Sequence, residues 1–161
     1  MMRAATSRDV EAIAAIYNFY VANTTVTFEE TELPAAEIAA RIEAVNNAGY
    51  PWLVFERDGA VLGYAYAGRF ATRSAYRLTA EGTVYVAPDA RGAGIGTELY
   101  KELIERLRAQ GAHCVLGIIA LPNEPSVRLH EKLGFVKVAD LKEIGRKFER
   151  WVDVGYWQLF L

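Results

Sequence analysis

The chain is poor in residues that form covalent or metal cross-links: it has one cysteine, Cys114, and two histidines, His113 and His130. A single thiol excludes an internal disulfide and fits a reducing compartment. With so few sulfur and imidazole ligands, no zinc constellation of usable spacing can be written, and no metal is expected. Long apolar runs are missing too. The longest, "CVLGIIALP", is too short to span a bilayer. The start, "MMRAATSRDVEAI", lacks the basic-then-apolar layout of a secretory signal. A cytoplasmic protein with no membrane partner is the expectation. Nor does one sign of charge dominate: the formal net charge is −2 and the pI about 5.8, whereas a nucleic-acid binder should be basic. Internal repeats, low-complexity tracts and Ser/Gly linkers are absent as well.

What is present suits one globular domain over residues 1–161, with 52% hydrophobic and 24% charged residues. A chain of this length buries roughly 70% of the surface it exposes when unfolded, so it needs no staples.

After a short strand at "MRAAT", Ser7 is placed to cap a helix on which Val10, Ile13, Ala14, Tyr17 and Val21 recur at helical spacing. Pro34 starts a second helix, with Ile38, Ile42 and Val45 on one face and Gly49 beyond its end. "PWLVFE" and "AVLGYAYAG" read as strands joined by the hairpin turn "RDG". An irregular connector, "FATRSAYRLTA", leads to the strand "GTVYVAP". A helix over 94–110 presents Leu99, Leu103 and Leu107 every four residues, with Tyr100 and Ile104 widening the stripe. "HCVLGIIAL" is apolar throughout, as expected of a strand covered on both faces. A short helix in "PNEPSVRLHEKLG" and strands at "FVKVADL" and "DVGYWQLFL" complete the order β α α β β β α β α β β. The class is α+β or mixed α/β.

The stretch "YVAPDARGAGIGTEL", residues 85–99, sets three glycines between a strand and a helix. A dinucleotide fingerprint would need a third glycine where Leu99 stands. A triphosphate loop needs a Gly-Lys pair, and the chain has none. A strand, a turn and a helix N-terminus remain. The early N–H groups of such a helix lack intrahelical partners, and its dipole adds about half a positive charge. Arg91 contributes a full charge on a planar fork suited to phosphate. A plain tight turn would need only one glycine, so the cluster points to a phosphate.

Arg91, Gly94 and Gly96, placed after an apolar strand and before an amphipathic helix, resemble the acetyl-CoA pyrophosphate loop of the GNAT N-acetyltransferase superfamily. "NEPSVRLHEKLGF" is similar to that superfamily's second signature. The segments "IYNFYVANTTVTFEE", "EGTVYVAPDARGAGIG" and "GRKFERWVDVGYWQ" narrow the resemblance to phosphinothricin and methionine sulfoximine/sulfone acetyltransferases, over nearly the whole chain. The resemblance implies a twisted, mostly antiparallel sheet of about seven strands with about four helices and a splay between two central strands. It also implies acetyl-CoA as acetyl donor, a small amino-acid-like acceptor and a homodimer.

By the same resemblance, the acetyl-CoA groove takes in Val84, Tyr85 and Val86, the loop residues Arg91, Gly92, Ala93, Gly94, Ile95, Gly96 and Thr97, and Asn123 and Ser126. Backbone N–H groups of the "TVYV" strand would face the acetyl carbonyl, where negative charge develops during attack. Asn123 equally fits a helix N-cap. Glu81 corresponds to the family's base, which takes a proton from the acceptor ammonium. His130 occupies the slot of a thiolate-protonating tyrosine in many relatives, and its ordinary pKa suits proton transfer near neutrality. A histidine beside an apolar stripe is also an ordinary packed residue. Arg73, with Thr72, Ser74 and Tyr76, would clamp the acceptor carboxylate, and Phe28 and Glu29 would form another wall. Arg77 is a candidate surface charge. Trp151 and Lys147 would line the site or a dimer interface. Cys114 sits mid-strand, as a buried small residue rather than a nucleophile.

The function so implied is acetyl transfer to the α-amino group of a small amino-acid analogue by direct attack. The alternatives are acetylation of peptide or protein N-termini, and a non-catalytic CoA-binding or amino-acid-sensing module.

Overall fold

Thr6, one residue earlier than the sequence suggests, opens the first helical segment. The Asp9 carboxylate accepts from the Thr6 N–H at 2.8 Å and from its hydroxyl at 2.9 Å, closing the reciprocal cap that Ser7 cannot make. Asp9 is buried, and two Arg3 nitrogens donate to it, each at 2.7 Å. Arg3 first, and the Thr6 bonds after it, hold the Asp9 carboxyl down to about 2. Arg3 also binds Glu56 through Nε at 2.9 Å. One guanidinium thus ties the first strand, the first helix and the second strand together.

The computed structural model describes residues 1–161. β1 (Met2–Ala4) is followed by α1 (Val10–Asn23), α2 (Ala35–Asn47), β2 (Trp52–Arg57), β3 (Ala60–Arg69), β4 (Thr79–Val86), α3 (Ile95–Ala109), β5 (Cys114–Leu121), α4 (Glu124–Lys132), β6 (Val136–Lys147) and β7 (Arg150–Phe160). The order matches the sequence expectation. All seven strands form one sheet in the order β1-β2-β3-β4-β5-β7-β6.

Alternation along the strands loads both faces. On β2, Trp52 and Val54 join Tyr64 of β3 against Ile13, Tyr17 and Val21 of α1 and Ile38 and Ile42 of α2. Leu53 and Phe55 face the other way, toward Leu99, Tyr100, Leu103 and Leu107 of α3. The "RDG" turn has φ 52° at Asp58 and 79° at Gly59, as an Asp-Gly hairpin requires. No helix is long and apolar enough to cross a membrane.

The last hairpin is longer than the sequence suggests. β6 runs on to Lys147 and β7 starts at Arg150, where the expected strands stop at Leu141 and resume at Asp153. The turn between them uses positive φ at Phe148 (50°) and Glu149 (59°), without the glycine or asparagine that usually marks one.

Every neighbouring pair is antiparallel except β4 and β5. Those two match only at Thr79–Cys114, Ala80–Val115 and Glu81–Leu116. Beyond Glu81, β4 remains paired to β3 and β5 to β7, but no longer to each other. The sheet opens there into a V whose inner edges are residues 82–86 and 117–121.

Candidate active site

A groove of about 750 Å³ fills the V and passes between the N-terminal ends of α3 and α4. Residues 82–86 form one wall and Ile118, Ile119 and Ala120 the other, with Arg91, Gly92, Gly94, Ile95, Gly96 and Thr97 at one end and Asn123, Ser126 and His130 along the side. Glycine meets two different needs in the loop. Gly92 and Gly94 adopt φ of 80° and 81°, the left-handed region that L side chains avoid. A Cβ on either would meet no protein atom within 4 Å, so their open sides leave room for a ligand. Gly96 instead lets α3 approach its neighbours: a Cβ there would lie 3.0 Å from Leu129 and 3.4 Å from Val86.

The strand's own edge supplies further polar groups. Residues 82, 84 and 86 turn their backbone groups to the same side. The Tyr20 hydroxyl donates to the Val86 carbonyl at 2.6 Å and the Tyr100 hydroxyl to the Gly82 carbonyl at 3.1 Å. Val84 stands between them at the groove. Arg91 lies across the rings of Phe19 and Tyr20, 5.3 and 5.1 Å from their centroids, with Nε donating to the Tyr20 hydroxyl at 3.3 Å. The cation is thereby parked at the groove mouth on an aromatic support. Asn123 caps α4, its side chain accepting from the Ser126 N–H at 3.3 Å.

His130 lines the groove, whereas Glu81, at the last β4–β5 pair and on the opposite face of the sheet, does not. Glu81 shares its face with Tyr85, which packs toward α1. Burial pushes the Glu81 carboxyl above the usual carboxylate range. His130, 4% exposed, stands on the α3 side. Its Nδ1 donates to the Ser126 carbonyl at 2.7 Å, and its Nε2 is 3.2 Å from the Tyr100 hydroxyl. Burial lowers the imidazole pKa, partly offset by the bond to Ser126.

The other expected site residues are not among those that line this groove. Ala93 does not line it, and Thr72, Arg73, Ser74 and Tyr76 are exposed on the β3–β4 connector. Arg77 is exposed there too, donating to the Ser74 carbonyl at 3.3 Å. Phe28 packs on Gly145, where a Cβ would come within 2.3 Å of its ring, and Glu29 is paired with Arg41 at 2.8 Å. Lys147 is an internal anchor: 2% exposed, it donates to the Val21 and Thr27 carbonyls at 2.8 and 2.9 Å. Trp151 is 61% exposed beneath the Arg146 guanidinium. Cys114 is buried. Sequence reasoning did not single out Tyr20, Thr24, Val26, Arg128, Leu129 or Lys132 as lining residues. Arg128, Leu129 and Lys132 share the helix of His130, and Tyr20, Thr24 and Val26 lie in the segment "IYNFYVANTTVTFEE", which are the signals that could have found them.

The family model for the acetyltransferase (GNAT) domain matches residues 2–155. This chain belongs to the GNAT acetyltransferase family. It is 42% identical over 161 residues to an L-methionine sulfoximine/L-methionine sulfone acetyltransferase of Pseudomonas paraeruginosa, covering 99% of this chain and 94% of that one. Its fold matches that of a GNAT phosphinothricin acetyltransferase from Sinorhizobium meliloti solved with acetyl-CoA, at TM-score 0.97 and 39% identity, over 100% of this chain and 88% of the other. It also matches a ribosomal-protein-alanine N-acetyltransferase from Brucella melitensis, at TM-score 0.98 and 40% identity, over 100% and 99%. This GNAT chain is an acyltransferase that uses acetyl-CoA. The open glycine loop, the cations Arg91, Arg128 and Lys132, and the unpaired inner edge of β4 fit that donor.

Proposed function

We propose that the enzyme acetylates the α-amino group of a small amino-acid analogue of the phosphinothricin, methionine sulfoximine or methionine sulfone class. The observation that carries this reading is the placement of Glu81 at the last paired position of β4, on the face opposite His130. Two proton-handling groups then flank the V from its two sides. Acetyl-CoA supplies an acetyl thioester, which is attacked without a covalent enzyme intermediate.

An α-ammonium group cannot attack until it loses a proton. Glu81 takes that proton, and its raised pKa makes it a stronger base than an exposed carboxylate. The Val84 N–H is aimed at the oxygen on which negative charge grows. His130 assists the departing thiolate or positions the acceptor. The α3 N-terminus and Arg91 hold the pyrophosphate, with Tyr85, Ile95, Thr97, Asn123 and Ser126 along the donor. Thr72, Arg73, Ser74 and Tyr76 with Phe28 and Glu29 hold the acceptor, where the Arg73 guanidinium meets its carboxylate. The reading places residues 1–161 in the cytoplasm as one catalytic domain and as a homodimer. The edge strand β6 supports the dimer by exposing Val136, Val138 and Ile144.

Thiol release from acetyl-CoA with the three analogues tests the reading: turnover with at least one supports it, and background rates with every small amine overturn it. A second reading, acetylation of protein N-termini, is favoured by the likeness to the Brucella melitensis enzyme.

A further inference from the structure

One buried polar group beside the groove has no task in the chemistry above, the hydroxyl of Tyr100. The residue is 0% exposed, and its ring stacks on Phe135 with centroids 5.5 Å apart and planes within 7°. Phenylalanine would fill the same space in the α3 stripe. The oxygen nevertheless lies 3.1 Å from the Gly82 carbonyl and 3.2 Å from His130 Nε2. Both strands that part at the V carry glycine where these two side chains come close. A Cβ on Gly82 would stand 2.6 Å from the Tyr100 oxygen, and one on Gly117 would stand 2.3 Å from Nε2.

Hydrogen counting gives the pair a direction. Nδ1 of His130 faces the Ser126 carbonyl, which can only accept, so Nδ1 carries a hydrogen. In the neutral ring Nε2 is then a bare acceptor. It competes with the Gly82 carbonyl for the one hydroxyl proton of Tyr100, and one of the two goes without. A proton on Nε2 closes the count: Nε2 donates to the tyrosine oxygen and the hydroxyl donates to Gly82. Gly82 is the residue after Glu81, so the hydroxyl also links the α4 imidazole to the strand that bears the base.

We propose that Tyr100 is a positioning residue for acyl transfer, turning its single hydroxyl proton between Gly82 and His130 so that the imidazole is held in one place beside the groove in either protonation state. The inference rests on the role given to His130 in the proposed function.

Steady-state thiol release by Tyr100→Phe, His130→Gln and the double variant tests it. Tyr100→Phe keeps the ring, so it melts near the wild type. Its kcat falls about tenfold or more, while KM for acetyl-CoA stays within about twofold. The double variant is no slower than His130→Gln alone, because the hydroxyl acts through the imidazole. In ¹⁵N spectra the Nε2 resonance of His130 moves on Tyr100→Phe while Nδ1 holds. A wild-type kcat in Tyr100→Phe, losses that multiply in the double variant, or an unmoved Nε2 resonance would each overturn the inference. His130→Gln at the wild-type rate would instead remove the role of His130 itself. A slow His130→Gln beside a fast Tyr100→Phe removes only the role of Tyr100.

Discussion

A side chain on Gly117 would have to begin 2.3 Å from the Nε2 of His130. The imidazole occupies the space a Cβ would take on β5, and neither the strand nor α4 can yield without disturbing the groove. Gly117→Ala should therefore cost about 1–3 kcal/mol of stability by overpacking and lower the acetylation rate more than the stability loss explains. Gly68→Ala, where a Cβ meets nothing within 4 Å, should leave the urea midpoint close to wild type. Equal midpoints for the two variants would contradict the packing described here.

Gly94 separates strain from blockage. Gly94→Ala pays the left-handed φ of 81°, about 1–2 kcal/mol, but puts no atom against the protein. Gly94→Glu adds an anion where the donor's pyrophosphate is expected. Calorimetry should find acetyl-CoA bound by the alanine variant and not by the glutamate variant, with both folded by circular dichroism. Binding by Gly94→Glu at wild-type affinity would show that the loop is not the phosphate cradle.

Glu81 should set the acidic limb of the rate profile. Only the carboxylate accepts a proton, and burial raises its pKa. The rate should climb as pH rises through a value above the usual ~4.3, then level off. Glu81→Gln should lower kcat by about 10²–10⁴ and erase that limb, with KM for acetyl-CoA little changed. An identical limb in Glu81→Gln would assign it to another group.

Acid stability should depend on Asp9. Its native pKa of about 2 lies below the ~3.9 of an unfolded aspartate, a difference of about 2–3 kcal/mol. That stability is present above the unfolded value and is lost as pH falls toward 2. In urea titrations Asp9→Asn should be destabilised at pH 7, and its deficit should shrink between about pH 5 and pH 2. A deficit that holds constant over this range would mean the carboxylate charge is not what Arg3 stabilises.

Element order and the glycine turn ahead of α3 were legible because their signals are local. Asp58-Gly59 forces a turn, and the leucine stripe of α3 repeats every four residues. What escaped was set by tertiary contact. Tyr100 reads as one more member of an apolar stripe, and only the approach of Gly82 and His130 gives its oxygen a meaning. Lys147 reads as a site or dimer-interface residue until the carbonyls of Val21 and Thr27 close on it. The β6–β7 turn hides because Phe148 and Glu149 carry no turn signature, and the long pairing of the two strands holds their positive φ in place. Arg91 was legible as a cation beside the glycine turn, but its seat on Phe19 and Tyr20 joins residues far apart in sequence.

On the proposed function, the acceptor is a free amino-acid analogue whose carboxylate meets Arg73. The most direct test of this reading is kcat/KM for methionine sulfone compared with methionine sulfone carboxamide and with a peptide bearing an N-terminal alanine. Free methionine sulfone should exceed both by about tenfold or more, since an unpaired guanidinium clamp forfeits a charge-assisted bond worth about 1.5–3 kcal/mol. A peptide turned over faster than the free analogue would contradict it.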